Sequence, residues 1–232
     1  MSEDDDFTRV RRALGGGPVA DAAFDALYPD PIRSRSAQFW TPVAVAARAA
    51  ALFADHGARR VLDVGSGAGK FCLAAACVRP EVDFWGVEQR PHLVEAARRL
   101  GTQLGLENVR FATGDATNFS WSAFDGLYFY NPFAENLCSE SDHLDETVEL
   151  SNRRYMADIK RVIAAIGAAP VGTCLITYHS FGGPIPISYQ LAHEERIWTD
   201  WLRVWVKRRA TAESANFYVE GLDRVLLVGS GS

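Results

Sequence analysis

Along the middle of the chain, short apolar runs alternate with segments whose apolar residues recur at helical spacing. The pattern predicts strands over 60–64, 82–87, 109–113, 125–130 and 171–178, and helices over 69–78, 91–104 and 145–166. Such alternation builds a parallel sheet covered by helices on both faces. Ahead of it, residues 7–14 and 21–27 read as short helices, the first closed by Gly15-Gly16-Gly17-Pro18. A helix over 42–54 follows, with Thr41 as its N-cap and Pro42 at its first position. Near the end, 201–209 and 217–228 read as extended segments joined by a polar turn, and Gly221 marks a bulge or bend. Trp198, Trp201 and Trp205 lie here; their spacing also suits a helix, and they read as core packing or a partner surface.

The turns after the strands carry the chemistry. The first strand ends in Asp63 and passes through Gly65-Ser66-Gly67-Ala68-Gly69 into a helix. Glycine accepts positive φ and lets a ligand touch backbone. A dinucleotide fingerprint needs its third glycine three residues after the second. Here that position is Lys70, and the third glycine falls one residue early, at Gly69. The second strand ends in Gly86-Val87-Glu88, where a ribose-binding carboxylate is expected. The third ends in Gly114-Asp115-Ala116 and the fourth in Asn131-Pro132-Phe133.

With these four motifs, each at the carboxyl end of a predicted strand, the chain resembles the class I S-adenosylmethionine-dependent methyltransferases over roughly positions 35–180. The resemblance implies an α/β three-layer sandwich with a seven-stranded, mostly parallel sheet, its last strands an antiparallel hairpin formed by 201–209 and 217–228. It implies a methyltransferase domain over 35–232, behind an N-terminal helical extension, 1–34, with a disordered start. It implies S-adenosyl-L-methionine as cofactor, bound by Asp63, Gly65, Ser66, Gly67, Gly69 and Phe71 at the first motif. Glu88 and Gln89 would serve the ribose, and Gly114, Asp115 and Ala116 the adenine. Asn131 and Pro132 would lie by the transferring methyl, and Gln38 and Thr41 in a segment closing over the cofactor. A weaker similarity, carried by Asp63 to Gly69, Gly86-Val87-Glu88 and the Asn131 motif, links the chain to the non-SET histone lysine methyltransferases.

For an amine acceptor, the Asn131 amide oxygen is suited to accept N–H hydrogens, and Phe133 to stack on a planar or cationic group. Amino-directed members of the family carry a second proline before the aromatic residue, which this chain lacks. Tyr178 and His179 end the fifth strand; His179 is a candidate general base and Tyr178 a substrate contact.

At 232 residues a single compact domain is the default. Apolar runs are too short to cross a membrane, and the acidic start, Met1 to Asp6, does not have a signal peptide's pattern and is expected to be disordered. Cys72, Cys77, Cys138 and Cys174 are scattered without metal-ligand spacing, which points to free thiols in the cytoplasm and to no metal. Net charge is −5, which argues against nucleic acid and for a small-molecule or protein acceptor. Arg153-Arg154 and Lys207-Arg208-Arg209 then read as solvated faces. The rival functions are an NAD-dependent oxidoreductase and a catalytically inactive S-adenosylmethionine-binding protein.

Overall fold

The computed structural model describes residues 5–210, 217–220 and 225–228, apart from the side chains of 37, 38 and 225–228. The chain forms two compact units, Met1–Ala116 and Thr117–Ser232. The first contains α1 (Asp6–Gly16), α2 (Asp21–Asp25), α3 (Asp30–Arg33), α4 (Ser36–Phe39), α5 (Val43–Asp55), β1 (Arg60–Val64), α6 (Lys70–Val78), β2 (Asp83–Glu88), α7 (Pro91–Gln103) and β3 (Val109–Thr113). The second contains β4 (Gly126–Phe129), α8 (Asn152–Ala168), β5 (Cys174–Tyr178), β6 (Ile185–Pro186), β7 (Tyr189–Ile197), β8 (Asp200–Lys207), β9 (Phe217–Glu220) and β10 (Val225–Val228). Seven strands hydrogen-bond in the order β3-β2-β1-β4-β5-β8-β7, and β10-β9-β6 form a separate sheet. The large sheet is parallel from β3 to β2 to β1 and from β4 to β5, and antiparallel at β8 and β7. This is the α/β arrangement that the resemblance implies, with helices around a mostly parallel sheet.

Burial explains which strands were readable. β4 and β5 are buried throughout, as strands covered on both faces must be, so they appear as plain apolar runs. After the buried Tyr189, β7 alternates between exposed and half-buried residues and carries His193, Glu194 and Glu195, the mark of an edge strand. No apolar run predicts it. It displaces the expected last strand: β8 pairs with β7 and β5 in the large sheet, whereas β9 and β10 pair in the small one. The three tryptophans lie on this hairpin, with Trp205 wholly buried. The bend expected at Gly221 lies outside the described residues.

Side-chain caps correct several helix ends. Disorder was expected through Asp6, yet Asp5 accepts the Thr8 N–H at 2.8 Å and starts α1; residues 1–4 lie outside the described residues. Thr41 does not cap α5. The cap position is Pro42, and the Val43 N–H goes to Asp21 Oδ1 at 2.9 Å. α8 starts seven residues later than expected, at Asn152. Upstream backbone N–H groups are taken by side chains instead: Leu144 by Glu135, Thr147 by Asp145 and Ser151 by Asn136. At its far end, Lys207 donates to the carbonyls of Ile166, Gly167 and Ala169, so this lysine closes a helix and is not a solvated charge. All four cysteines are free, and no helix among the described residues is long and apolar enough to cross a membrane.

Candidate active site

The glycine loop is fastened from both sides. The Gly65 and Ser66 N–H groups both donate to the Val87 carbonyl, at 3.1 and 3.0 Å, and Gly69 N–H donates to the Ser66 carbonyl at 2.8 Å. Gly69, in the left-handed region at φ 81°, leads into α6. A Cβ there would stand 2.6 Å from the Phe111 ring and 2.7 Å from the Ala97 Cβ, so this position must be glycine. Gly67, also left-handed at φ 53°, has open space where its Cβ would be. Beside it, the Ser66 hydroxyl is buried with no hydrogen-bond partner among the described residues.

Two buried carboxylates flank the loop. Asp63, near the end of β1, has the Cys72 thiol as its hydrogen-bond donor at 3.7 Å, and no basic side chain pairs with it among the described residues. Burial pushes its carboxyl up to about 8; the thiol opposes this, and the Glu88 charge adds to it. Glu88, at the end of β2, accepts the Gly67 N–H at 3.1 Å and the Arg90 N–H at 3.0 Å through its two oxygens. Burial raises its carboxyl too, and those N–H groups and the Arg90 charge pull the other way.

Lys70 stands where a dinucleotide fingerprint has glycine, and the structure shows what it does there. Its side chain is 4% exposed, with Nζ 2.6 Å from both Asp21 and Asp25 of α2 and 5.7 Å from the centre of the Trp40 ring. Tyr28 donates its hydroxyl hydrogen to the Ala68 carbonyl at 3.0 Å. Because Asp21 also holds the start of α5, the N-terminal helices are bolted to the glycine loop. Sequence reading missed this, since nothing local ties residues 21 and 25 to residue 70.

The other first-unit candidates divide. The Gly114 N–H donates to the Glu88 carbonyl at 2.9 Å, which sets the β3 tip beside the β2 tip, and a Cβ on Gly114 would meet nothing within 4 Å. Asp115 is half-buried just before the 3-10 turn Ala116–Asn118, with Ala116 buried. Gln89 is half-buried in the turn between β2 and α7. The Phe71 side chain lies in the core, edge-on to Phe84 at 6.0 Å, so only its backbone is left to meet a ligand. Thr41 is buried ahead of α5. Gln38 lies in α4, its side chain outside the described residues.

In the second unit the tips of β4 and β5 interlock. Asn131, His179 and Ser180 all have left-handed backbones, at φ 41°, 60° and 58°. The Asn131 N–H donates to the Ser180 carbonyl at 2.9 Å, and the Ala134 N–H takes the Asn131 carbonyl at 3.2 Å. Three non-glycine residues in this region hold strain that the surrounding contacts must sustain, a pattern typical of functional sites. Pro132 is half-buried, and Phe133 is buried, its carbonyl accepting from Asn136. His179 Nδ1 pairs with Asp200 Oδ2 at the start of β8, and Asp200 Oδ1 accepts the Trp201 N–H at 2.6 Å. Tyr130 and Tyr178 stack at 5.7 Å, with the His179 ring edge-on to both. Asp200 is the partner that sequence reading missed; antiparallel pairing of β5 with β8 brings it to His179.

Comparison with known proteins identifies the family. The family described as a methyltransferase domain matches residues 55–195. A tRNA (guanine-N(7)-)-methyltransferase of Synechococcus sp. (strain JA-3-3Ab) is 50% identical over 50 residues, 22% of this chain and 21% of that one. Its counterpart in Ralstonia nicotianae is 32% identical over 129 residues, 53% of this chain and 48% of that one. The chain thus spans from about a fifth to about half of the length of these curated relatives. An RNA methyltransferase from Salinibacter ruber, solved with S-adenosyl-L-homocysteine, shares the fold at TM-score 0.53 and 20% identity, over 75% of this chain and 96% of that one. These matches favour neither the oxidoreductase nor the inactive binding protein. They also overturn the expectation that nucleic acid is an unlikely partner, because the curated relatives just described are named for tRNA. The physical reason is scale. Net charge is an average, and a phosphate backbone meets only a local face.

Proposed function

Because the chain belongs to the methyltransferase domain family, whose enzymes take S-adenosylmethionine as cofactor, we propose that it methylates a base nitrogen of RNA. When bound, that cofactor supplies an electrophilic methyl group and leaves as S-adenosylhomocysteine. The first unit's residues suit it. Asp63 offers a buried carboxylate to a cation, the Ser66 hydroxyl lacks a partner, and there is room beside Gly67 and Gly114. Glu88 is the acid for the ribose hydroxyls, at the cost of its hydrogen bond from Gly67.

The observation that carries the acceptor chemistry is the His179–Asp200 pair at the tip of β5. Asp200 engages Nδ1, so Nε2 is the acceptor nitrogen. As the N–CH3 bond forms, the nitrogen's own hydrogen passes to Nε2 and then to water. The Asn131 side-chain amide, at the neighbouring strand tip, serves to orient the base. The α8 helix adds a cationic face: Arg153, Lys160 and Arg161 are all exposed.

Incubating the full chain with tritiated cofactor and bulk cellular RNA tests this reading. Label should enter RNA and be released by ribonuclease. His179→Ala should lower kcat by about a hundredfold or more while leaving S-adenosylhomocysteine affinity intact. Asp63→Ala should weaken that affinity by about tenfold, one charge-assisted contact's worth. Label that enters no RNA defeats the reading. Wild-type kcat in His179→Ala assigns the methyl instead to a nitrogen bearing no hydrogen, which needs no base.

A further inference from the structure

The turn between β7 and β8 is built against its own backbone preferences. Ile197 pairs with Asp200, so Trp198 and Thr199 alone make the turn. Trp198 takes φ 53°, a left-handed conformation. The first central residue of such a hairpin turn is normally glycine, asparagine or aspartate, and a bulky side chain there is an outlier. The same residue is 58% exposed, among the largest apolar exposures of the described residues. Either glycine or asparagine would relieve both the strain and the exposure.

The turn is also held firmly, and by the acceptor machinery. The Tyr178 hydroxyl donates to the Ile197 carbonyl at 2.9 Å, immediately before the turn. Immediately after it, Asp200 pairs with His179 and accepts the Trp201 N–H. The exposed indole is therefore carried on a rigid tip whose two ends grip Tyr178 and His179. An aromatic face fixed before binding loses little freedom when a planar ligand stacks on it.

We propose that Trp198 is a stacking platform for a nucleobase of the RNA acceptor, either the base presented to His179 or its neighbour. The inference rests on RNA being the acceptor. Nucleobases are the planar, π-faced groups such a platform fits, and stacking holds any base regardless of its hydrogen-bonding edge. Base-edge groups such as Asn131 would then choose among bases already held.

The test uses the full chain, unfractionated bacterial tRNA and a single-stranded RNA oligonucleotide as probes. Filter binding gives RNA affinity, tritium transfer gives KM and kcat for tRNA, and calorimetry gives S-adenosylhomocysteine affinity. Trp198→Ala should weaken RNA binding and raise KM by about tenfold, with cofactor affinity unchanged. Trp198→Tyr should recover most of the loss. Trp198→Gly separates platform from scaffold: it should lose RNA binding equally while its Tm holds or rises, because glycine suits the turn. Wild-type RNA binding in Trp198→Ala and Trp198→Gly overturns the proposal and leaves RNA methylation standing. Loss of binding accompanied by a changed oligomeric state overturns it in favour of a protein contact. A wild-type chain that methylates no RNA overturns both.

Discussion

Asp63 is an acid that keeps its proton at neutral pH. Its ordinary value is 3.8, and burial raises it to about 8. Across that interval the folded chain holds a proton that the unfolded chain has released. Stability therefore falls as pH rises, by about 1.4 kcal/mol per pH unit, and levels off above the folded value. Urea unfolding from acid to mildly alkaline pH should show this contribution, and Asp63→Asn, which has no proton to lose, should remove it and leave the smaller slope of other raised carboxyls such as Glu88. A bound sulfonium or ammonium favours the charged carboxylate, so cofactor binding near neutrality should release a proton. Calorimetry in buffers of different ionisation enthalpy reads that release directly; a heat independent of buffer would place the cation elsewhere.

At the scale of elements, the N-terminal helices do more than precede the fold. Lys70 joins α2 to α6 through two carboxylates, and Asp21 carries the tie on to α5. Lys70→Met leaves a buried Asp25 and a half-buried Asp21 without their cation, so it should destabilise the chain by about 3 kcal/mol in urea unfolding. It should also weaken S-adenosylhomocysteine binding, since residues 68 and 70 belong to the loop and its helix. This brace marks the boundary of what the sequence made legible. Strands that are largely buried, β1, β2, β4 and β5, and the glycine loop between β1 and α6 announce themselves locally through apolar runs and φ requirements. Asp63 and Glu88 could be placed because they end such runs. β7, the late start of α8, the Asp21–Lys70–Asp25 cluster and the Asp200 partner of His179 depend on contacts between residues far apart in sequence. Nothing in their immediate sequence neighbours signals those contacts.

For the whole molecule, an acidic chain can still recognise a polyanion if its charges are sorted by place. The stretch from Glu135 to Glu149 is rich in acids, whereas α8 shows Arg153, Lys160 and Arg161 outward. Arg153→Glu with Lys160→Glu should weaken RNA binding across sequences and reduce the slope of log K against log salt by about 1–2, one phosphate contact or so each. S-adenosylhomocysteine affinity should not move. An unchanged salt slope would put the phosphate contacts on another face.

The chain has just three lysines, and the fold occupies two of them. Lys70 is enclosed by aspartates and Lys207 is seated on the carbonyls at the end of α8, both nearly sealed from solvent, while Lys160 alone is exposed. The native molecule thus presents one side-chain amine to an acylating reagent. A fluorophore coupled through that amine would sit at a single, known address on the cationic helix, and a reporter of this kind requires no engineered cysteine.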